Sequence, residues 1–202
     1  MSLLLLLPLL ACTGKDPVDT AADDTDVVDT STDTSDTSDT GDTGLHEIPM
    51  LEAGFEAALT ETSGCADIYV YAHDEDATMM LQVEAFDLGI ANAACLGGPQ
   101  SLVIDLPAEG VSASLLYGER VTGYACTDII ADQPVVLRTW VATAGTITFN
   151  VTAAGSAICD SVPYAQADAV LENLVLTPED GGEGEVTLPS LAIDAFVGWL
   201  PG

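Results

Sequence analysis

The sequence predicts an all-β fold: an antiparallel two-sheet β-sandwich of about eight or nine strands, preceded by a disordered acidic linker. Ile147, Phe149 and Val151 alternate with polar residues, a period of two that is typical of a half-buried strand. Several short segments of this kind are separated by Gly-, Pro- and Asp-rich turn signals, a spacing that favours a sandwich. Near residue 45 the composition changes abruptly from polar and acidic to mixed.

The first eleven residues are apolar and lead directly to a cysteine. The run Leu3–Leu10 is far shorter than the roughly 20 residues that a membrane-spanning helix needs. Its length suits the apolar core of a signal peptide, and Ala11 supplies the small residue that a signal peptidase needs before its cleavage site. We therefore expect residues 1–11 to be removed as a signal peptide.

The residues Leu9-Leu10-Ala11-Cys12 resemble the lipobox of bacterial lipoproteins. The resemblance implies that Cys12 becomes a lipidated N-terminus and that the lipid bilayer is one partner of the protein. Several acyl chains hold a protein firmly, whereas one holds it only marginally. In some bacteria, an Asp directly after the lipidated cysteine signals retention at the inner membrane. This chain has Thr13 at that position, so the resemblance implies that the protein is sorted to the outer membrane. The alternative is an ordinary secretory signal, since Leu10 is bulky for its position and Met1-Ser2 carry no positive charge.

Residues 12–44 are expected to form a disordered linker after the lipidated cysteine. From Lys15 to Gly44 the chain is almost entirely Asp, Thr and Ser, in a degenerate repeat of period three. Such a segment buries too little apolar surface to offset the entropy of ordering, and its like charges keep it extended. At about 3.3–3.6 Å per residue it can reach on the order of 100 Å. A calcium-binding repeat is disfavoured, because calcium loops space their carboxylates by two and end on a Glu.

Residues 45–202 have the length of one domain and are also strongly acidic. Ten Asp lie in the linker, so 23 of the 33 acidic residues fall in the domain, against only Arg120 and Arg138. The formal net charge of the chain is −30. Such a surface repels phosphate backbones, which excludes nucleic acid as a partner. Its charge is compatible with cationic partners and metal ions.

Periodicity and turn signals place the individual strands of the domain. Residues 50–61 predict either a short helix or an edge strand, and no long amphipathic helix is expected. Turns are expected at Ala144-Gly145 and at Glu179–Gly182, among others. The predicted strands cover or lie near residues 68–72, 79–85, 102–106, 111–117, 134–143, 146–152, 167–176, 184–189 and 191–199.

Four cysteines follow Cys12, and an even number in an exported domain predicts two disulfides. The sequences Cys65-Ala66-Asp67-Ile68 and Cys126-Thr127-Asp128-Ile129 echo each other, which favours pairing Cys65 with Cys126 and Cys95 with Cys159. The sequence does not fix the connectivity, so the other pairings stay open. A zinc site is disfavoured because zinc cysteines usually come in closely spaced pairs.

Catalytic motifs were sought and not found, so we expect a protein that is not an enzyme. The chain has two histidines, His46 and His73, and lacks nucleophile-elbow, zinc-protease and phosphate-loop motifs. A pair of carboxylates acting as a glycosidase stays open, because such pairs assemble in space. No cofactor is expected, with calcium as the one alternative.

Two acidic loops are candidates for that calcium. Asp74 and Asp76 lie between two predicted strands, and a second loop carries four carboxylates among glycines. Flexible, oxygen-rich loops are where calcium binds, but Asp and Gly are also ordinary turn residues, which favours a solvated turn. The carboxylates of the second loop are Glu179, Asp180, Glu183 and Glu185.

The whole layout resembles small outer-membrane lipoproteins of Gram-negative bacteria that carry an Asp/Thr-rich spacer and one all-β domain of unknown function. The likeness implies an exported protein at the outer membrane, on its periplasmic or its surface side. Its domain would bind another envelope or surface component without catalysis. The alternatives are a calcium-stabilised surface adhesion or matrix module and a hydrolase of envelope polymers.

Overall fold

The computed structural model describes residues 50–85, 88–127, 133–154 and 164–198, all within one compact unit of the chain. The predicted signal peptide (1–11), Cys12, the linker (12–44) and Cys159 lie outside the described residues. Their assignments therefore stay predictions.

The described residues form a single 3-10 turn, a short α-helix and eight antiparallel strands, as the all-β prediction required. Hydrophobic alternation gives most strands one buried face, as in β3, where Leu81 and Val83 are fully buried. The elements in chain order are η1 (Phe55–Ala58), β1 (Glu61–Cys65), β2 (Tyr69–His73), β3 (Met79–Ala85), α1 (Ile90–Gly97), β4 (Gln100–Leu106), β5 (Val111–Glu119), β6 (Val135–Ala153), β7 (Ala165–Pro178) and β8 (Val186–Val197).

The strands belong to one curled sheet, and the two separate sheets of a sandwich are not confirmed. The strand order is β1-β2-β3-β5-β6-β7-β8, and β4 pairs with β6 beside this path. The first half of β6 pairs with β5 and its second half with β4, while β7 runs along the other side of both halves. A strand that spans both halves keeps them in one hydrogen-bonded sheet.

The predicted turn at Ala144-Gly145 was wrong, because the chain continues through it as one long strand. The register between β6 and β7 shifts on both sides of Ala144, and Gly145 has a φ of +124° that favours glycine. A Cβ at Gly145 would lie 2.6 Å from Leu174 Cδ2. The glycine therefore marks a bulge that bends β6. A glycine within a strand pattern can indicate either a turn or such a bulge.

The edges of the curled sheet approach each other where β1 meets β8. Thr62 Oγ1 donates a hydrogen bond of 2.9 Å to the Asp194 carbonyl, and the Gly198 amide donates to the Ala66 carbonyl. A Cβ at Gly64 would lie 2.8 Å from Ala195 Cβ, so the closeness of the two strands depends on glycine there. This approach encloses the main core. The core contains Trp140, Phe149 and many aliphatic side chains of the strands and of the segments beside them.

Three elements differ from the sequence predictions. The segments 184–189 and 191–199 belong to one strand, β8. Pro189 lies within it and is exposed, and it is tolerated because β8 is an edge strand in which the backbone N–H that proline lacks is not needed for pairing. The segment 50–61 contains η1 followed by β1, and α1 was not predicted. The sequence of α1, Ile90–Gly97, is short and apolar and shows no polar face that would reveal a helix. Within the described ranges, no helix has the length and apolar character needed to cross a membrane.

Candidate functional site

The strongest departure from simple alternation occurs in β2. Val70 and Ala72 point into the core, so Tyr69, Tyr71 and His73 should be exposed on the outer face. Tyr71 is instead only 7% exposed. Something must therefore cover the outer face of β2 and β3.

The cover is a strap formed by residues 120–126, the first part of the connection between β5 and β6. It begins beside the β2–β3 turn, where the Val121 amide donates 2.9 Å to the Ala77 carbonyl. It ends in a disulfide between Cys126 and Cys65, whose strand partner is Tyr69 at the opposite end of β2. The strap thus crosses the outer face of the sheet, and the Cys65–Cys126 pairing is the one that the sequence echo favoured.

Beneath the strap lies a second apolar cluster, separate from the main core. Its buried members are Tyr71 of β2, Met80 of β3 and Val121 of the strap. The partly buried members that pack against them are Tyr69, Leu116, Ala125 and Cys126. Burial of apolar surface here contributes to holding the strap, at roughly 25 cal/mol per Å².

A cavity of about 440 Å³ opens beside this cluster, between the strap, the sheet and the start of β6. Tyr124 and Cys126 of the strap form one wall, and Pro134 and Val136 form another. The floor is the outer face of the sheet, formed by Tyr69, Met80, Gln82, Glu84 and Leu116. Two of the lining side chains are apolar or aromatic and exposed, namely Tyr124 and Val136, which are 50% and 45% exposed.

A chain of hydrogen bonds fixes the polar groups on the cavity floor. The Tyr69 hydroxyl donates to Gln82 Oε1 at 2.8 Å, and Gln82 Nε2 donates to Ser114 Oγ at 3.0 Å. The three residues lie on β2, β3 and β5, so the chain runs across the strands. Each group is oriented before any ligand arrives, as pre-organised sites require.

Glu84 is the charged group of the floor and the strand partner of Tyr69. Burial raises the pKa of the Tyr69 hydroxyl well above its usual value, and the negative charge of Glu84 adds to this effect. Tyr69 therefore stays a neutral donor at any physiological pH. Within the described ranges, the Glu84 carboxylate has no hydrogen-bond or ion-pair partner.

This site was not predicted from the sequence. Alternation of β2 and β3 predicted their outer faces as solvated, and only the packing of the strap makes a recess there. The aromatic spacing in Tyr69-Val70-Tyr71 and the echo between Cys65 and Cys126 were the available signals.

The structure gives Asp74 a role in the β2–β3 turn. Asp74 Oδ1 accepts hydrogen bonds from the amides of Thr78 and Met79 at 2.8 and 2.9 Å, and Oδ2 accepts one from the Thr78 hydroxyl. This is how a short acidic side chain stabilises a turn. His73 is also held here: its Nδ1 lies 2.7 Å from the Asp74 carbonyl oxygen, and its ring stacks on Tyr71.

The second predicted calcium loop, between β7 and β8, is fastened by two side chains of β6. Arg138 Nη2 contacts Asp180 Oδ1 at 3.4 Å and donates to the Glu183 carbonyl at 3.0 Å, and its guanidinium lies 5.1 Å from the Trp140 ring centroid. Trp140 Nε1 donates to the Gly184 carbonyl at 3.2 Å. The Gly182 amide donates to Asp180, which together with the Arg138 charge lowers the pKa of that carboxyl.

The strand registers place both acidic loops at the same end of the sheet, since Met79 pairs with Tyr117, Tyr117 with Arg138, and Trp140 with Pro178. Nevertheless, no three His, Cys, Asp or Glu side chains of the described residues come together to hold a metal ion. The structure therefore does not gather Asp76, Glu179, Glu183 and Glu185 into a site, and calcium binding stays a prediction. Cys95 is disulfide-bonded, and its predicted partner, Cys159, lies outside the described residues.

Removing the strap's disulfide should both destabilise the domain and expose the strap. The Cys65–Cys126 bond closes a loop with a sequence separation of 61, so a double variant, Cys65→Ser with Cys126→Ser, should lose about 4 kcal/mol of unfolding free energy. Denaturant unfolding measures this loss. Brief trypsin treatment in native buffer should then cleave after Arg120 in the strap faster than in the parent, whereas Arg138 within β6 stays protected. Unchanged cleavage at Arg120 would contradict the role of the strap.

The hydrogen bond from the Gly182 amide to Asp180, together with the charge of Arg138, should make part of the stability depend on pH. The folded-state pKa of Asp180 is below its unfolded value of 3.8, so this contribution is complete above pH 3.8 and is lost as the pH falls through the folded-state pKa. Asp180→Asn should lower the melting temperature at pH 7, and the difference from the parent should shrink towards zero near pH 2. Glu172→Gln, on an exposed part of β7, controls for loss of one charge; a difference that persists at low pH would contradict the assignment.

The cavity combines three properties of a binding site: an apolar and aromatic wall, a fixed hydrogen-bonded floor and the Glu84 carboxylate. Such an arrangement can hold an amphipathic ligand without moving the side chains that contact it. Comparison with known proteins adds no relative, since no family model, curated protein or solved structure matches the chain.

Proposed function

We propose that this chain is an exported, lipid-anchored envelope protein whose β-domain binds another envelope component through the cavity beneath the strap. The domain acts as a non-catalytic binding module. The acidic linker acts as a tether between the acylated Cys12 and the module, and the lipobox-like residues Leu9–Cys12 support this anchor.

The observation that carries the binding function is the disulfide-fastened cavity with exposed apolar residues at its mouth. Tyr124 and Val136 are 50% and 45% exposed and line the same cavity, which sets them apart from apolar residues scattered singly. Maintaining such a surface in water costs free energy. A binding partner that covers it accounts for its presence.

The contacts of the polar residues His73, Asp74 and Asp180 are structural, which supports a non-catalytic role. His73 stacks on Tyr71 beside its turn, Asp74 fastens that turn, and Asp180 contacts Arg138. Burial, with the negative charge of Glu84, keeps the Tyr69 hydroxyl protonated, and this hydroxyl donates to Gln82. The cavity thus offers recognition groups in fixed positions.

Site-specific photo-crosslinking in intact cells tests the binding function. A photoreactive phenylalanine derivative replacing Val136, beside the cavity, should give a discrete crosslinked product. The same replacement at Val103 is the matched control, because Val103 is an exposed valine on β4 that does not line the cavity. Equal crosslinking at both positions, or none at Val136, would count against the proposal.

The lipid anchor has its own test. Cells grown with a labelled fatty acid should incorporate label into the parent chain, and Cys12→Ser should remove the label and release the domain from the membrane fraction. Thr13→Ser, which leaves the cysteine in place, serves as the control and should retain both. A Cys12→Ser variant that remains labelled and membrane-bound would overturn the anchor.

A further inference from the structure

We infer that the cavity receives one Lys or Arg side chain of a partner protein, with the charged end at Glu84 and the methylene stem along the apolar wall. The inference rests on the proposed binding function and names the chemistry of its partner. It depends on three features of the cavity: an unpaired carboxylate, aromatic surface and an apolar wall.

The carboxylate of Glu84 is the first feature. It lies on the cavity floor, is partly withdrawn from water, and has no hydrogen-bond or ion-pair partner in the part of the chain that the structure describes. A cationic group of a ligand placed beside this carboxylate would gain a charge-assisted hydrogen bond.

Aromatic rings provide the second feature. Tyr69 on the floor and Tyr124 in the strap both line the cavity that contains Glu84. The electron-rich faces of tyrosine rings attract ammonium and guanidinium groups. The bond between the Tyr69 hydroxyl and Gln82 fixes that ring in place. A carboxylate beside aromatic rings favours an organic cation over an anion or a neutral sugar.

The apolar wall provides the third feature and sets the shape of the ligand. Val136 belongs to this wall, and Met80 and Leu116 add apolar surface on the floor. Lys and Arg bury their methylene stems against apolar surface while the charged head reaches a polar group. A volume of about 440 Å³ is in the lower part of the range of about 300–1,000 Å³ found for ligand pockets.

The exposed mouth and the charge of the domain indicate a protein as the source of the cation. Tyr124 and Val136 line the cavity and are 50% and 45% exposed, and a polypeptide that inserts one side chain would also cover them. The net charge of −30 attracts a basic partner from a distance and accelerates its association.

Nuclear magnetic resonance titration of the full, oxidised chain provides the test. The probe is a short peptide with a single central arginine flanked by leucines, and the control peptide carries citrulline, the neutral isostere, at that position. The arginine peptide should shift the signals of Glu84, Tyr69 and Val136 in a saturable way. The citrulline peptide should bind at least about fivefold more weakly, because it lacks the charge that the carboxylate and the rings attract.

Matched variants separate local contact from general electrostatic attraction. Glu84→Gln keeps the size of the side chain and should weaken the arginine peptide about fivefold or more, and Tyr124→Ala should also weaken it. Glu172→Gln removes the same charge from exposed β7, away from the cavity, and should change the affinity less than twofold. Melting temperatures of all variants verify that they fold.

The outcomes distinguish this inference from the proposed function. Equal affinity for the two peptides, or no effect of Glu84→Gln, would overturn it. Butylguanidine that binds as tightly as the peptide would indicate a small cation and likewise overturn it. Crosslinking at Val136 without arginine binding would leave the binding function standing and the inference rejected. Arginine binding without crosslinking at Val136 would show that the cavity prefers a cation but would reject the envelope partner, and with it both proposals.

Discussion

The architecture depends on the length of β6 and on its bend at Gly145. This strand, Val135–Ala153, pairs with β5 through its first half, with β4 through its second half and with β7 along its other side. Four side chains of this strand are buried in the core, namely Trp140, Ile147, Phe149 and Val151. Because one strand serves both halves of the domain, the sheet curls around a single core, and β4, β5 and β7 are placed directly by their pairing with β6.

The curl also determines where a binding surface can form. The inner face of the sheet is fully used by the core, so a recess has to be built on the outer face. The connection between β5 and β6 supplies it: residues 120–126 cross β2 and β3, and the Cys65–Cys126 disulfide fastens the far end. Tyr71 and Met80 become buried from outside as a result, and the space left beside them is the cavity.

The acidic domain has only two basic side chains, Arg120 and Arg138, and Arg138 makes several contacts that stabilise the fold. Arg138 contacts Asp180, the Glu183 carbonyl and the Trp140 ring, so it holds the β7–β8 loop to the sheet. Asp74 uses its carboxylate to fasten the β2–β3 turn. From the sequence alone, a carboxylate that caps a turn and one that binds calcium look the same, because both occur among Gly and Asp in loops. Only the hydrogen bonds assign Asp74 and Asp180 to turns.

The sequence by itself determined the all-β class, the approximate position of most strands and a reason to pair Cys65 with Cys126. These are local properties, since side-chain alternation reports the pleat of each strand. Tertiary structure decided that 134–143 and 146–152 are one strand, that the strands share one sheet, that α1 exists, and that a strap covers Tyr71. Pairing and covering join residues far apart in the chain, and no local periodicity encodes which distant segment will bury a given face.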